Sequence, residues 1–511
     1  MTGPKARARL DETEAELARL ERERARVRAM QYVERRTRPE AAHVDAAMSD
    51  LLGQEDLPEA VDTLAADGAS TLDGRRALLW RRRLDSAQID GATDVQALER
   101  AIEARVVAFE PEIPGARGTA GVRHVLRTSP DRERRRQAFA ALAPLSRAAE
   151  ADLRRLIALR DAQARRRGHS GYAAYALGRM DLTTARVAGF LQALLRDTDD
   201  IYRALLVERS VAAGLDGPPA PWDLEYLLDG VGEAGRDAVA GGAFPAAGIV
   251  PALAAFLADH GFEALALGIT FVPCDIPYNG LCVPVDPPYD IRILARPSDG
   301  LGAYRTMTHE LGHALHARFK EPPSPIFQAE PGVFNEAMGE VLAAFLEDPA
   351  WLAAQGLGVQ EADGAVESFR RQRLAFVRLR TVRALCEYAL YADAEADGDE
   401  VLSRVEAEVL GVTLDPTPRW AADAWYVSYP VYWQNYVVAA AVACHTAAAL
   451  RAAWGGLYGR EEAIETLRSG YWRPAASVGW LDKVATVCGA PLSTGALVAE
   501  LGGREAIGHV L

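Results

Sequence analysis

The chain is 511 residues long, 49% hydrophobic and 25% charged, which is the composition of a soluble globular protein with a large core. Its net charge of −14 argues against nucleic acid or an anionic membrane surface as a partner. Five cysteines, odd in number and without a CxxC spacing, argue against a disulfide framework or a thiolate zinc site and fit a reduced, cytoplasmic setting.

The N-terminus lacks the apolar core of a signal peptide. Residues 5–36 are dense in Arg and Glu, with Leu10, Leu17, Leu20, Val27 and Met30 at helical spacing, which predicts an amphipathic helix. This segment, residues 1–40, is expected either to pack by that one stripe or to serve as a lid. Residues 41–511 are expected to form one catalytic unit. From residue 40 to about 210 the pattern is helical, rich in Ala, Leu and Arg. Turn-rich breaks follow at Ala213–Trp222, around Gly230–Gly242 and at Glu321–Gly332. Strand signals concentrate between Leu267 and Leu294, in ITFVP and YDIRIL. From Ala303 the chain is helical again nearly to its end. The long uncharged stretch Ala424–Leu450 is interrupted by Pro430, Gln434, Asn435 and His445 and reads as a buried helix rather than a membrane span.

The most informative segment is Thr308–His316, THELGHALH, which contains an HExxH pattern. Residues four apart on a helix lie about 40° apart around the axis, so His309 and His313 point the same way and can share one metal ion. Glu310, next on the helix, can reach water at that metal and act as general base. A catalytic zinc site generally takes three protein ligands. Downstream, FNEAMGEVL places Glu336 on a predicted return helix as a candidate third ligand. Glu340, one turn further, faces the same side and could hydrogen-bond a ligand imidazole. His316 lies about 10 Å along the axis from His309, too far for both to bind one ion, and is expected to pack.

HELGHALH followed by FNEAMGEVLAAF resembles the gluzincin zinc metallopeptidases that include thimet oligopeptidase, oligoendopeptidase F and angiotensin-converting enzyme. Three weaker segments are similar as well: GHSGYAAYALGRMDLTTARVAGFL at Gly168–Leu191, Pro221-Trp222-Asp223 with Tyr226, and the strand Tyr289–Ile293. The resemblance runs from about residue 150 to near the C-terminus. It implies His309, His313 and Glu336 as ligands of one zinc ion, Glu310 as the base and Glu340 as an acidic neighbour. It also implies a mainly α, two-lobed helical metallopeptidase fold with a deep central cleft and a small β-sheet beside the HExxH helix. The implied partner is a short peptide or peptide-like substrate, with neither nucleic acid nor membrane.

Peptide hydrolysis also needs a donor for the oxygen that gains charge. In the resembled family a Tyr pair preceded by a His supplies it, and WYVSYPVYWQNY, Trp425–Tyr436, is the corresponding stretch. This assigns Tyr432 as oxyanion donor and Tyr429 as substrate contact; Arg419, by its charge and its nearness to that stretch alone, is a candidate partner for a substrate carboxylate. The preceding His is missing, since no histidine lies between His316 and His445. The residues therefore fit a zinc peptidase, a specialised zinc enzyme of the same fold tailoring one peptide-like metabolite, or a non-catalytic peptide-binding relative.

Overall fold

The computed structural model of the chain describes all residues except 67, 69, 70, 231–241, 277, 323 and 504–507. The break expected around Gly230–Gly242 thus lies almost wholly outside the described residues. The chain is mainly helical, with one small mixed sheet. It divides into two units: Met1–Gln88, Val239–Val366 and Ala441–Leu492 form the first, and Ile89–Ala238, Glu367–Ala440 and Ser493–Leu511 form the second.

In the first unit the charged N-terminus is a helix over Gly3–Glu34, closed by Arg35 in the left-handed conformation (φ 54°). Leu10, Leu17, Leu20 and Val27 are buried as the spacing predicts, with Ala29 taking the place expected for Met30. The upper part of this stripe packs with Val44, Leu51, Leu57, Val61 and Trp80 from the next helices. Its last turns, through Ala25, Ala29 and Tyr32, cover Val283, Val285 and Leu294 of the sheet. The stripe is therefore spent on packing inside this unit. A buried Leu contributes about 1.5–3 kcal/mol, so the helix is firmly seated despite its charge.

The strand region holds three strands rather than the two read from the sequence: β1 (Ile269–Pro273), β2 (Gly280–Asp286) and β3 (Asp290–Ala295). Their order is β1-β3-β2, with β1 parallel and β2 antiparallel to β3. The extra strand is GLCVPVD, whose proline at position 284 hides its strand character; Pro is tolerated because β2 is an edge strand. After β3 the chain enters the HExxH helix, Leu301–Phe319, and returns through the helix Gly332–Ala343.

The second unit is helical. Its Pro221-Trp222-Asp223 turn is anchored by fully buried Asp223, which accepts from Arg132 (2.8 Å), Arg135 (2.7 Å) and the Ala220 N–H (3.0 Å). The uncharged stretch becomes the helix Trp433–Trp454, counted with the second unit to Ala440 and with the first from Ala441; it is long and apolar enough to cross a membrane by length and composition alone, with 61% of its apolar window buried.

Candidate metal centre

The HExxH helix sets its two imidazoles edge to face, ring centroids 4.7 Å apart, with the Nε2 atoms 3.1 Å from each other. The return helix brings Glu336 Oε2 to 3.8 Å from His309 Nε2. One ligand atom from each of His309, His313 and Glu336 lies within 4.8 Å of the others, so the three could hold one metal ion. Two imidazole nitrogens that face each other can share only one proton, whereas a cation between them satisfies both. Tetrahedral Zn–N bonds of about 2.1 Å place such nitrogens about 3.4 Å apart, close to the observed spacing.

The orientation of His309 is fixed from behind. Its Nδ1–H donates to Glu340 Oε1 at 3.1 Å, which leaves the Nε2 lone pair facing the triad. Glu340 is held in turn by Arg305 Nη2 (2.6 Å), and Arg305 Nε also donates to Glu347 Oε1 (2.9 Å). Burial opposes ionisation of Glu340, yet Arg305 and His309 hold its carboxyl well below the usual range. Burial also pushes His309 down, but Glu340, Glu310 and Glu336 outweigh it and raise the imidazole to about 9. These three carboxylates thus create a site that favours positive charge, so His309 Nε2 holds a proton when no cation is there to take its lone pair. Gly339 makes the arrangement sterically possible, because a Cβ there would lie 2.5 Å from His309 Cε1.

Glu310 is 7% exposed, and its Oε2 accepts the backbone N–H of Cys282 on β2 at 2.7 Å. Burial pushes its carboxyl up, partly offset by His309 and by that N–H. Gly280, two residues earlier on the same strand, leaves room for it: a Cβ would approach Glu310 Cγ to 2.7 Å. The strand therefore both orients the carboxylate and stays clear of it.

His316 stands outside the triad. It is 1% exposed, packs edge-on against Phe334 and lies 3.6 Å from Glu330 Oε1, the carboxylate that also takes Lys483. Burial first, then Lys320, drive its imidazole down to about 3, so it is a neutral packing group.

Tyr429, Tyr432 and Arg419 belong to the second unit. Both tyrosines are half-buried and sit in a run of touching rings, Trp425–Tyr429 at 4.6 Å, Tyr429–Tyr432 at 5.7 Å and Tyr432–Tyr436 at 5.6 Å. Arg419 is 7% exposed, pairs with Glu406 and lies over the Phe139 ring at 4.9 Å. Its charge is already met, so as placed it offers no free cation to a substrate carboxylate.

Arg305, Glu347, Gly280, Gly339 and the Cys282 N–H were not singled out by sequence reasoning. Arg305 carried a signal, since it lies one turn before His309 on the same helix face. The others depend on contacts between distant segments. Compared with known protein families and with characterised proteins, the sequence matches no family model and no characterised protein.

Proposed function

We propose that the chain is a zinc-dependent metallopeptidase acting on short peptides. The observation that carries this reading is the His309, His313 and Glu336 cluster with Glu310 beside it on the same helix. Zinc bound there would supply Lewis-acid polarisation of a carbonyl and acidify water. His309, His313 and Glu336 would hold the ion, and Glu340 with Arg305 would keep His309 in the tautomer that binds. Glu310, with Oε2 occupied by the Cys282 N–H, has Oε1 to take the proton of the water that attacks the carbonyl carbon. The same carboxyl then returns that proton to the amine nitrogen as the C–N bond breaks. Tyr432 is the proposed donor to the carbonyl oxygen and Tyr429 the proposed substrate contact.

The sheet supports a peptide as substrate. Among the described strands none pairs with the outer edge of β2, where the Cys282 N–H is taken by Glu310 and Pro284 has none, so an extended peptide would meet that edge through its carbonyls. The reading carries with it a two-lobed helical fold around a deep cleft, a geometry that restricts access to short unfolded chains. A second reading, a specialised enzyme tailoring one peptide-like metabolite, is favoured by the lack of any histidine between His316 and His445.

The test is incubation of the zinc-loaded protein and its Glu310→Gln variant with a mixed peptide library, read by mass spectrometry. Cleavage by the wild type alone supports a peptidase. Zinc binding without cleavage of any library member shifts the reading to the specialised enzyme, and equal cleavage by both proteins removes Glu310 as base.

A further inference from the structure

Val431, the residue immediately before Tyr432, has φ +53°. A β-branched residue adopts the left-handed region only when its surroundings over-determine it, and such residues cluster at working sites. Here both peptide groups of Val431 are gripped. Its N–H donates to Glu387 Oε1 at 2.9 Å, and its C=O accepts from Gln434 Nε2 at 2.6 Å. Glu387 comes from the helix Val359–Ala392, Gln434 from the first turn of Trp433–Trp454. Glu387 is 2% exposed, Val431 1% and Gln434 0%. Gln434 is itself braced by Asn435 Oδ1 at 3.2 Å, and Asn435 is also fully buried. Burial pushes the Glu387 carboxyl up to about 8 against the pull of the Val431 N–H, Arg160 and Arg383. A carboxyl kept at that disadvantage next to a strained peptide has a local task. The helix needs no such device to start, because Tyr432 C=O already accepts the Asn435 N–H at 2.9 Å.

We propose that Glu387 and Gln434 form a clamp that holds Val431 left-handed and thereby aims the Tyr432 side chain; both are positioning residues for the reaction. This rests on the reading of Tyr432 as the oxyanion donor. The conformation at Val431 fixes the direction in which the chain leaves for residue 432, so releasing the grip lets the peptide relax to an extended or right-handed form and turns the tyrosine away.

The experiment combines amide hydrogen exchange with a double-mutant cycle on the zinc-loaded full chain. In Glu387→Ala, exchange of the segment spanning Val431 and Tyr432 speeds up while the HExxH helix keeps its protection. On a cleaved library peptide, kcat falls by roughly tenfold, in the range of couplings between contacting residues, with KM and zinc content unchanged. Glu387→Gln, which keeps an acceptor oxygen, restores most of the rate. In a Tyr432→Phe background the same Glu387→Ala change costs less than about twofold, because contacting residues that act as a unit are not additive. If Glu387→Ala does not fold, Gln434→Ala, which releases only the carbonyl, shows the same split. Unchanged exchange at Val431, or an equal loss of kcat in both backgrounds, overturns the clamp. Full activity of Tyr432→Phe removes the oxyanion assignment and the catalytic purpose of the clamp together. If the wild type cleaves no peptide, the peptidase reading falls and the exchange measurement alone decides whether the clamp exists.

Discussion

The metal triad in the first unit and the tyrosine segment in the second are held by different means. Around the triad, side chain mostly fixes side chain: Arg305 holds Glu340 and Glu340 holds His309, while one backbone group, the Cys282 N–H, holds Glu310. In the tyrosine segment the backbone is held instead, through the N–H and C=O of Val431, and the rings of Tyr429 and Tyr432 touch. Charge-assisted contacts between side chains on two helices need fixed spacings, so they leave a pattern in the sequence. A strained peptide gripped by a residue 44 positions away leaves none. On the proposed reading the two regions would contribute differently: the first would hold the ion and the general base, and the second would supply the donor to the oxyanion.

Variants can break this division. Glu310→Gln is expected to lower kcat/KM for a library peptide by about 10²–10⁴-fold with zinc content unchanged, since a positioned general base contributes about that much. Retained activity would mean that the proton goes elsewhere. Tyr432→Phe should cost about 10²–10³-fold, again with zinc retained, because it removes one donor to the oxyanion. Loss of zinc from this variant would contradict a role for Tyr432 that is separate from metal binding. Glu340→Ala should weaken zinc binding by about 10–100-fold, measured by competition with a chromophoric chelator, because it takes the partner from His309 Nδ1. Gly339→Ala tests the same imidazole by sterics, since a methyl group there would displace the His309 ring; it should weaken zinc without disturbing Glu310.

The smallest effect concerns acid stability. His316 is held near 3 against a usual 6.5, so its folded form resists protonation. Stability from this group is complete above about pH 6.5 and is lost as pH falls toward 3, by at most about 1.4 kcal/mol per unit. Glu330, held down near 2 against a usual 4.5 despite its burial, chiefly by Lys483, loses its contribution only between about 4.5 and 2. Between pH 7 and 5 the Tm of the wild type should therefore fall more than that of His316→Leu. Parallel curves would show that His316 carries no such load.

The helical class, the N-terminal stripe, the HExxH helix and the Glu336–Glu340 pair were all legible because each rests on 3.6-residue periodicity. β2 was not, because its proline masks an edge strand that only pairing with β3 defines. Charge and nearness to the tyrosines are all the sequence offers for Arg419, and neither reports its pairing with Glu406 on the helix Gly398–Leu410. Val431 runs against its own propensity, so no local rule could have placed it in the left-handed region.

The central claim is that His309, His313 and Glu336 together hold one zinc ion. It is tested most directly by elemental analysis of the purified wild type and of His313→Ala after dialysis against trace zinc. About one zinc per chain in the wild type and almost none in the variant is the predicted result. Equal zinc in both, or none in either, would contradict it.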